Sequence, residues 1–456
     1  MNSTAILLRV MALLIVWLAA NPAQSAVSLS TLVSFNSTNG AIPSGALIQA
    51  GDGSFYGTTF SGGANGAGTV FQMTPAGDLT TLISFNGTNG GGPLNALLQA
   101  ADGNFYGATY YGGDNNFGTI FRLTTSGAFT TLVSFNDANG SYPKGDLVQA
   151  SDGNLYGTTV AGGSSSSGTV FQLMTNGQLV TFFSFDDRGS RPYSSPMQVP
   201  DGSFYGTTFQ GGAYGYGAIF RLITNGVFAP LYSFTGTNDG AYPEAGLVQG
   251  ADGSLYGTTS YGGINGQGTA FKLTTNGVLT TMVLFANTNG AVPQATLMCG
   301  SDGYFYGTTS HGGAYTNDIG TGNGTVFRLT TNGALTTIFS FNGTNGAGPQ
   351  ARLVQGADGS FYGTTANGGA TGNGTVFRLS VLQAPVFQLV SRTNNLLTLT
   401  WSTSTGQRYQ LQYQTNLNPL TWSNLGGVIT ATNATATVSD PIGTDPQRFY
   451  RVMLLP

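Results

Sequence analysis

The chain has few of the residues from which most active sites are built. Its 456 residues include one cysteine, Cys299, and one histidine, His311, and only 7% of them are charged. A single cysteine excludes an intramolecular disulfide, and one Cys with one His excludes a zinc site made of such residues. Cys299 lies in the apolar segment Leu-Met-Cys-Gly, where we expect a buried, inert thiol. The net charge of −4 predicts no nucleic-acid partner.

Long apolar runs are missing beyond the first twenty residues. Arg9, the eleven apolar residues 10–20 and the triplet Ala23-Gln24-Ser25 are together typical of a secretory signal peptide over residues 1–25. An uncleaved anchor is the alternative, although eleven residues are few to span a bilayer. We therefore expect an exported protein, secreted or at the cell surface, with no integral membrane segment in the mature chain.

Glycine, by contrast, is abundant, with 71 residues, and aromatic residues make up 12% of the chain. Disordered chains combine high charge with few aromatics, so this composition argues against disorder. High glycine together with β-branched and aromatic residues indicates many short strands joined by turns.

The segment Asp-Gly-Xaa-Phe/Leu-Tyr-Gly recurs seven times, at intervals of 50, 50, 49, 51, 50 and 56 residues. A period near 50 is typical of a repeat architecture. Each unit contains four strand-like segments, A to D, which in the second unit are residues 96–100, 104–110, 118–123 and 128–135. Asp-Gly and Asn-Gly between apolar segments form tight hairpins, so neighbouring strands should be antiparallel. This favours four-stranded blades over a parallel β-helix.

The two ends of the array predict that it closes into a ring. The pattern begins with a lone D strand at residues 31–35, and the last unit lacks its own D strand. An open solenoid has no reason to divide a unit between its two ends. We predict an all-β, seven-bladed β-propeller of four-stranded antiparallel blades over residues 28–381, closed by an N-terminal strand that completes the last blade. Pro196, Pro200 and Pro230 agree, because they fall in or beside A and D strands, at blade edges.

Residues 385–456 follow a different pattern. Strand-like segments occur at residues 396–401, 408–413, 434–438 and 448–454, and two of the three tryptophans, Trp401 and Trp422, lie here. We predict a separate small β-sandwich, near the lower size limit for an independent core.

The repeated motifs Leu-Val/Ile-Gln-Ala/Gly, Asp-Gly-Xaa-Phe/Leu-Tyr-Gly-Thr-Thr, Gly-Gly and Gly-Thr-Val-Phe-Arg/Gln-Leu resemble the GloVer tandem repeat of secreted bacterial proteins, over residues 30–380. Kelch propellers share only the period and a Gly-Gly after strand B. The tail, with residues 409–413, Trp422 and residues 446–451, resembles a fibronectin type III-like module. The resemblance implies a carrier for C-terminal surface-sorting modules without an established activity. The basic cluster and apolar helix of a sorting tail are missing, which weighs against anchoring.

The repeated turns are the first candidate sites. Seven carboxylates could suggest seven metal sites, but a calcium loop needs several oxygen ligands, whereas each turn offers one. Asp in a tight turn accepts hydrogen bonds from its own backbone, so we expect a structural role, no metal and no cofactor. These turn residues are Asp52, Asp102, Asp152, Asp201, Asp252, Asp302 and Asp358. After the strand C phenylalanine the chain has Gln, Arg or Lys, which we expect to be a hydrogen-bonding residue at the blade edge.

The connecting loops are the second candidate. A–B and C–D turns are short and constant, whereas D–A and B–C loops vary and share the opposite face. Eight acidic residues lie in the variable loops: Asp114, Asp137, Asp146, Asp186, Asp187, Asp239, Glu244 and Asp318. The candidate ligand-binding residues are Tyr111, Asp114, Tyr142, Asp187, Tyr193, Tyr214, Tyr216, Tyr242, Glu244, His311 and Tyr315.

Two interpretations of this face stay open. Loops are where charges are most easily solvated, and tyrosines can simply cover blade tips. Alternatively, variable loops on a rigid scaffold carry function. Aromatic rings stack on sugar faces and carboxylates accept hydroxyl protons, which would suit a polysaccharide partner.

We therefore predict a monomeric, non-enzymatic binding or display module, with polysaccharide as its partner. The alternative is a polysaccharide hydrolase or lyase, in which Asp186 or Asp187 would act with Glu244. His311 has no Gly-Xaa-Ser-Xaa-Gly segment to accompany it, so a serine hydrolase is disfavoured. A purely structural surface spacer is the third possibility.

Overall fold

A computed structural model describes residues 26–223, 226–315, 320–382, 385–403, 407–416, 421–441 and 447–455. The predicted signal peptide and Asp318 lie outside the described residues. The chain divides into two compact units, of which the larger comprises Leu29–Leu379 and the smaller includes Ser380–Pro456. All regular elements of the described residues are strands.

The larger unit consists of seven antiparallel sheets in its described residues. Strand β1 spans Ala26–Ser34. Sheet 1 contains β2 Ile48–Gln49, β3 Phe55–Thr59, β4 Thr69–Met73 and β5 Leu79–Ser84. Sheet 2 contains β6 Leu98–Gln99, β7 Phe105–Thr109, β8 Thr119–Leu123 and β9 Phe129–Ser134. Sheet 3 contains β10 Ser141–Pro143, β11 Val148–Gln149, β12 Leu155–Ala161, β13 Thr169–Leu173 and β14 Leu179–Ser184.

The remaining sheets repeat this order. Sheet 4 contains β15 Met197–Gln198, β16 Phe204–Thr208, β17 Ala218–Leu222 and β18 Phe228–Ser233. Sheet 5 contains β19 Val248–Gln249, β20 Leu255–Thr259, β21 Thr269–Leu273 and β22 Leu279–Leu284. Sheet 6 contains β23 Met298–Cys299, β24 Phe305–Thr309, β25 Thr325–Leu329 and β26 Leu335–Ser340. Sheet 7 contains β27 Val354–Gln355, β28 Phe361–Thr365 and β29 Thr375–Leu382, and β1 pairs with β29 as its fourth strand.

The strand order A-B-C-D confirms the predicted all-β, propeller-like architecture of four-stranded antiparallel sheets. Strand A is shorter than predicted, with two residues in each sheet. Strand β10 was not predicted. It pairs with the end of β12, a contact that the other sheets make through a single bridge, such as the one between Ala41 and Ser61.

The repeated Asp-Gly-Xaa-Phe-Tyr-Gly segment forms the A–B turn and the start of strand B. In sheet 1 the Asp52 Oδ1 atom accepts the Ser54 backbone N–H at 2.9 Å, and Oδ2 accepts the Tyr56 hydroxyl at 2.9 Å. Gly53 adopts a φ of 80°, which an L side chain rarely tolerates. Gly57 pairs with Phe71 across strands B and C, where a Cβ would lie 2.6 Å from Phe71 Cζ.

The core of the larger unit lies between adjacent sheets, because strands B and C are buried on both faces. Tyr56 of sheet 1 packs on Phe105 of sheet 2, with ring centroids 4.3 Å apart. The same contact joins sheet 7 to sheet 1, where Tyr362 and Phe55 are 4.1 Å apart. Sheet 7 and sheet 1 therefore contact each other in the same way as consecutive sheets do.

Polar contacts also join sheet 7 to sheet 1. The Thr364 hydroxyl donates to the Gly45 carbonyl at 3.3 Å, just as Thr58 donates to the Asn95 carbonyl of the next sheet. The Gln49 side-chain oxygen accepts the Ala357 N–H at 2.9 Å. The first and last repeats are thus connected by the bonds that connect consecutive repeats.

The smaller unit contains two sheets in its described residues. One consists of β30 Phe387–Thr393, β31 Leu396–Ser402 and β35 Thr435–Pro441. The other consists of β32 Arg408–Gln414, β33 Ser423–Asn424, β34 Ile429–Thr430 and β36 Phe449–Leu455. Buried Trp401 of the first sheet and Leu411 of the second belong to one core. The fibronectin type III resemblance stays a prediction.

The prediction of a buried thiol at Cys299 is wrong. Cys299 occupies the second position of the two-residue strand β23 and is exposed. In so short a strand, the alternation of faces turns Met298 partly inward and Cys299 outward. The described residues include no helix of the length and apolarity needed to cross a membrane.

Candidate functional site

Each D–A loop ends in a buried proline that sets the direction of the chain into strand A. The residue before it adopts a positive φ, including 56° at Ile42 and 55° at Val292, which is unusual for a β-branched residue. Its backbone N–H donates to the B–C loop of the preceding sheet; Ile42, for example, bonds to the Asn373 carbonyl at 2.9 Å. These hydrogen bonds between sheets fix the end of each D–A loop, where the residue before the proline has its positive φ.

The residues that follow these prolines converge on a cavity of about 140 Å³. Every one of the seven sheets contributes, so the cavity lies where their first strands meet. Its lining comprises Ser44, Ala46, Leu94, Lys144, Gly145, Asp146, Tyr193, Ser194, Ser195, Glu244, Gln294, Ala295, Thr296, Gln350, Ala351 and Arg352. We call this the central cavity.

Lys144 and Glu244 form an ion pair in the wall of the central cavity. The Lys144 Nζ atom lies 3.2 Å from Glu244 Oε2 and 3.6 Å from the centroid of the Tyr193 ring. Burial lowers the pKa of Lys144, and the Glu244 carboxylate opposes this shift. Glu244 Oε1 also accepts the Gln294 side-chain N–H at 3.1 Å.

Asp146 lies in the same wall with a different set of partners. Its Oδ1 atom accepts the Ala96 backbone N–H at 2.8 Å, and Arg352 Nε lies 3.8 Å from Oδ2. The Thr296 hydroxyl accepts the Gly246 N–H at 2.8 Å. The cavity therefore offers cationic donors, carboxylate acceptors, amides and hydroxyls together, which is a donor set suited to a ligand with many hydroxyl groups.

An aromatic row continues from the cavity wall. Tyr193 stacks on Phe209 with ring centroids 4.5 Å apart and planes 14° apart, and Phe209 contacts Tyr242 at 5.0 Å. Tyr242 then contacts Tyr216 at 5.6 Å and Tyr261 at 6.2 Å. Tyr216 and Tyr261 are exposed, so the row links the cavity wall to the surface.

The structure brings together four of the eleven predicted ligand residues. Tyr193 and Glu244 line the central cavity, and Tyr242 and Tyr216 belong to the aromatic row. Tyr193 lies in the loop from sheet 3 to sheet 4, Tyr216 in the B–C loop of sheet 4, and Tyr242 and Glu244 in the loop from sheet 4 to sheet 5. Part of the acidic and aromatic character predicted for the loop face is therefore gathered at the central cavity and the aromatic row.

The other predicted ligand residues lie elsewhere. Tyr111 packs edge-on against Phe60, and Tyr142 packs against Tyr110 and Phe117. His311 Nδ1 lies 2.9 Å from the Ser310 hydroxyl, and burial lowers the pKa of the imidazole. Four residues are exposed and do not line the cavity: Asp114, Asp187, Tyr214 and Tyr315.

Sequence reasoning missed three charged residues of the cavity as ligand candidates. Lys144 and Arg352 were not considered, and Asp146 was only one of eight loop carboxylates. The available signal was the position itself. The residues around the proline of each D–A loop are otherwise similar in every repeat, but the first and third residues after it differ. The first position holds, for example, Ser44, Lys144 or Glu244, and the third holds Ala46, Asp146 or Arg352.

The carboxylates proposed for the hydrolase alternative are not gathered at the cavity. Asp186 pairs with Arg188 through two oxygens, with an Nη2–Oδ2 distance of 2.8 Å, and neither Asp186 nor Asp187 lines the cavity. Among the described residues, no three His, Cys, Asp or Glu side chains are grouped so that they could hold a metal ion.

Comparison with known proteins identifies the repeats. The Gloeobacter/Verrucomicrobia repeat matches residues 20–195 and 182–321, which confirms the resemblance of the repeats predicted from the sequence. No curated protein matches the chain.

Three solved structures illustrate the fold. The BP39L lectin from Burkholderia pseudomallei is 10% identical, with a TM-score of 0.50, over 80% of this chain and 97% of the lectin. A fungal alcohol oxidase of the AA5 family, in complex with copper, is 13% identical, with a TM-score of 0.50, over 93% and 91%. A gluconolactonase from Xanthomonas campestris is 12% identical over 78% and 90%, with a TM-score of only 0.42. At these identities the likeness extends to the fold alone.

Proposed function

Since the chain belongs to the Gloeobacter/Verrucomicrobia repeat family, we propose that its repeats build a rigid scaffold for a binding site in the central cavity. The proposed ligand is a saccharide, and the protein acts as a binding module without catalysis. The proposal includes export through the N-terminal segment, so that the ligand would be met outside the cell or at its surface.

One observation carries the proposal. In a chain with only 7% charged residues, Lys144, Asp146, Glu244 and Arg352 all line one cavity, beside the Tyr193 ring. Solvation of loop charges alone would scatter them over the exposed face. Their convergence at the ring centre is instead typical of a polar ligand site with fixed donors and acceptors.

The size of the cavity limits the ligand. Its volume of about 140 Å³ far exceeds the roughly 10–15 Å³ that one water molecule requires, but is less than the roughly 300–1,000 Å³ of sites for drug-sized ligands. A single sugar residue, such as the end of a chain, fits this description better than the interior of a polysaccharide. The aromatic row from Tyr193 to Tyr216 provides ring faces for the sugar units that follow.

A glycan array with the mature protein tests the proposal. We expect binding to glycans that share a terminal residue, and at least a tenfold loss of affinity in Glu244→Gln, which keeps the shape but removes one charged acceptor. Asp187→Asn makes the same chemical change at an exposed position outside the cavity and should bind as wild type. An array without binding, or equal loss in both variants, would reject the central cavity as a saccharide site.

Two further measurements address catalysis and export. Incubation with a polysaccharide panel should release no reducing ends or unsaturated products; release abolished by Glu244→Gln would establish the hydrolase or lyase alternative instead. Expression of the full chain in a bacterial host with mass analysis of the exported product should show loss of residues 1–25. A product that retains them would contradict cleavage.

A further inference from the structure

Two repeats carry a cation paired with the turn aspartate, on the face opposite the central cavity. In sheet 4 the Arg221 guanidinium lies 2.8 Å from Asp201 Oδ2 and 5.8 Å from the Tyr205 ring centroid. In sheet 5 the Lys272 ammonium lies 2.7 Å from Asp252 Oδ2 and 5.8 Å from the Tyr256 ring centroid. The cation comes from strand C, directly after its buried phenylalanine, and its alkyl chain covers the edge of the blade.

Sheet 1 has this site without the cation. Asp52 and Tyr56 are in place, but the strand C residue is Gln72, whose Nε2 atom lies 3.3 Å from Asp52 Oδ2 and 3.0 Å from the Tyr56 hydroxyl. The other donors to Asp52 are the neutral Ser54 N–H and the Tyr56 hydroxyl. Asp52 forms no ion pair with any of the described residues.

A cleft lies beside the Asp52 carboxylate, where sheet 1 has no positively charged strand C residue. This cleft of about 370 Å³ opens between sheets 1 and 2, lined by Asp52, Tyr56 and Gln72 together with Leu82, Gln99 and Phe105. None of the residues that line it carries a positive charge. The lining of the cleft therefore includes the Asp52 carboxylate and the apolar side chains of Leu82 and Phe105.

Sheet 3 matches sheet 1 at the strand C position but differs from it at strand D. It also has glutamine, Gln172, at the strand C position, and Gln172 bonds to Asp152 and Tyr156 in the same way. At the strand D position of Leu82, however, sheet 3 has Phe182, whose ring contacts Tyr156 at 5.5 Å and Phe204 at 6.3 Å. Sheet 1 therefore combines a glutamine in strand C with leucine in strand D, a smaller side chain than the phenylalanine of sheet 3.

We propose that the cleft between sheets 1 and 2 binds a small organic cation, an alkylammonium or alkylguanidinium ion. Its charged group pairs with Asp52 beside the Tyr56 ring, and its alkyl chain contacts Leu82 and Phe105. The ligand thereby supplies, beside Gln72, the positive charge that Lys272 or Arg221 supplies in its own repeat. This site is independent of the central cavity, because the two share no residue.

Titration calorimetry of the whole mature protein with n-pentylammonium and n-butylguanidinium tests the proposal. We expect one binding site for each cation and none for the neutral analogue 1-pentanol. Gln72→Arg supplies the cation that other repeats carry, and Leu82→Phe supplies the ring of sheet 3. Each substitution should reduce the affinity at least tenfold while the protein remains folded, as measured by its thermal unfolding.

The matched control is Gln172→Arg, which makes the same change in the repeat that has Phe182 at the strand D position. It should leave the affinity unchanged. Undiminished binding in Gln72→Arg, equal loss in Gln172→Arg, equal binding of 1-pentanol, or no binding of either cation at millimolar concentration would each overturn the proposal. Asp52→Asn provides a second measurement, since its loss of binding should not depend on filling the cleft.

Discussion

At the scale of single residues, the third residue of strand B determines how closely strand C can pack. Gly57 pairs with Phe71, and the corresponding glycine and phenylalanine pair in every sheet, as Gly257 does with Phe271. A side chain there would enter the space of a buried ring. The closing glycine of Asp-Gly-Xaa-Phe-Tyr-Gly is thus explained by packing, and the aspartate by the turn.

Replacing Gly57 by alanine should reduce the free energy of unfolding by about 1–3 kcal/mol, because the new Cβ would lie 2.6 Å from Phe71 Cζ and 2.8 Å from Leu47 Cδ2. Urea unfolding measures this. Gly51→Ala is the control, since no atom lies within 4 Å of its Cβ position and alanine occupies that place in other repeats, for example at Ala101. Equal stability of the two variants would refute the packing explanation.

The cation of strand C should also be visible in the titration of the turn aspartate. The hydrogen bond from Lys272 lowers the pKa of Asp252 from 3.8 to about 2. A depressed carboxyl pKa stabilises the folded state above the unfolded-state pKa, and this contribution disappears as the pH falls towards 2. Because the pair is partly exposed, solvent screening keeps the contribution small.

Lys272→Gln, which reproduces the residue found at Gln72, should therefore raise the pKa of Asp252 towards its ordinary value. Carboxyl-detected NMR titration measures the change directly. The same substitution should cost a small amount of stability above about pH 4, where the depressed pKa contributes, and none near pH 2, so that the acid-side dependence of stability becomes weaker. An unchanged Asp252 titration would show that the turn itself, and not Lys272, lowers the pKa.

At the scale of strands, the pairing of β1 with β29 carries the inference that the array is a closed ring. Phe35 follows β1, is fully buried and contacts the Phe71 ring at 5.4 Å, so a residue near the N-terminus packs in sheet 1. Phe85 holds the equivalent position after sheet 1 and contacts Phe121 at 5.4 Å.

If the ring is closed, Phe35→Ala and Phe85→Ala should destabilise the larger unit by similar amounts, about 3–5 kcal/mol each, because both remove a buried ring between two sheets. Chemical unfolding compares the two variants directly. A frayed N-terminal strand would make Phe35→Ala much milder than Phe85→Ala. Deletion of residues 29–36 should likewise lower the melting temperature of the whole unit, and an unchanged melting temperature would refute closure.

The strands were predictable from sequence because the same turn and strand motifs occur in all seven repeats. Turn dipeptides such as Asp52-Gly53 mark the hairpins, and the predicted segment 118–123 differs from the observed Thr119–Leu123 by one residue. Strand A was overestimated, because the apolar residues around it, such as Leu97, are buried outside any sheet pairing. The exposure of Cys299 escaped prediction because its position in the two-residue strand β23 turns its side chain outward.

The candidate site was less predictable than the strands. Repeats reveal what stays constant, whereas the cavity is built from the positions that differ, and Lys144, Glu244 and Arg352 are separated by 100 and 108 residues in the chain. Only the fold of the larger unit brings them together. Tyr111 and Tyr142 are aromatic loop residues of the kind found in binding surfaces, but here they pack against aromatic rings of neighbouring sheets.

At the scale of the whole molecule, the two faces of the array have different chemistry. One carries the constant turns with their Asp and Tyr residues, to which strand C adds Arg or Lys in five repeats and Gln72 or Gln172 in sheets 1 and 3. The other carries the D–A loops, whose ends place four charged residues around the central cavity: Lys144, Asp146, Glu244 and Arg352. A scaffold of nearly identical repeats has therefore acquired its asymmetry at a few positions only.

We propose that the saccharide site is the central cavity and not the loop tips. A crystal structure of the mature protein with the tightest-binding glycan of the array tests it most directly. We predict that the terminal sugar lies within hydrogen-bonding distance of Glu244 and Lys144, with the next unit against the aromatic row at Tyr193. A glycan bound instead at the exposed loop tips, around Tyr214 or Tyr315, with the central cavity unchanged, would contradict the claim.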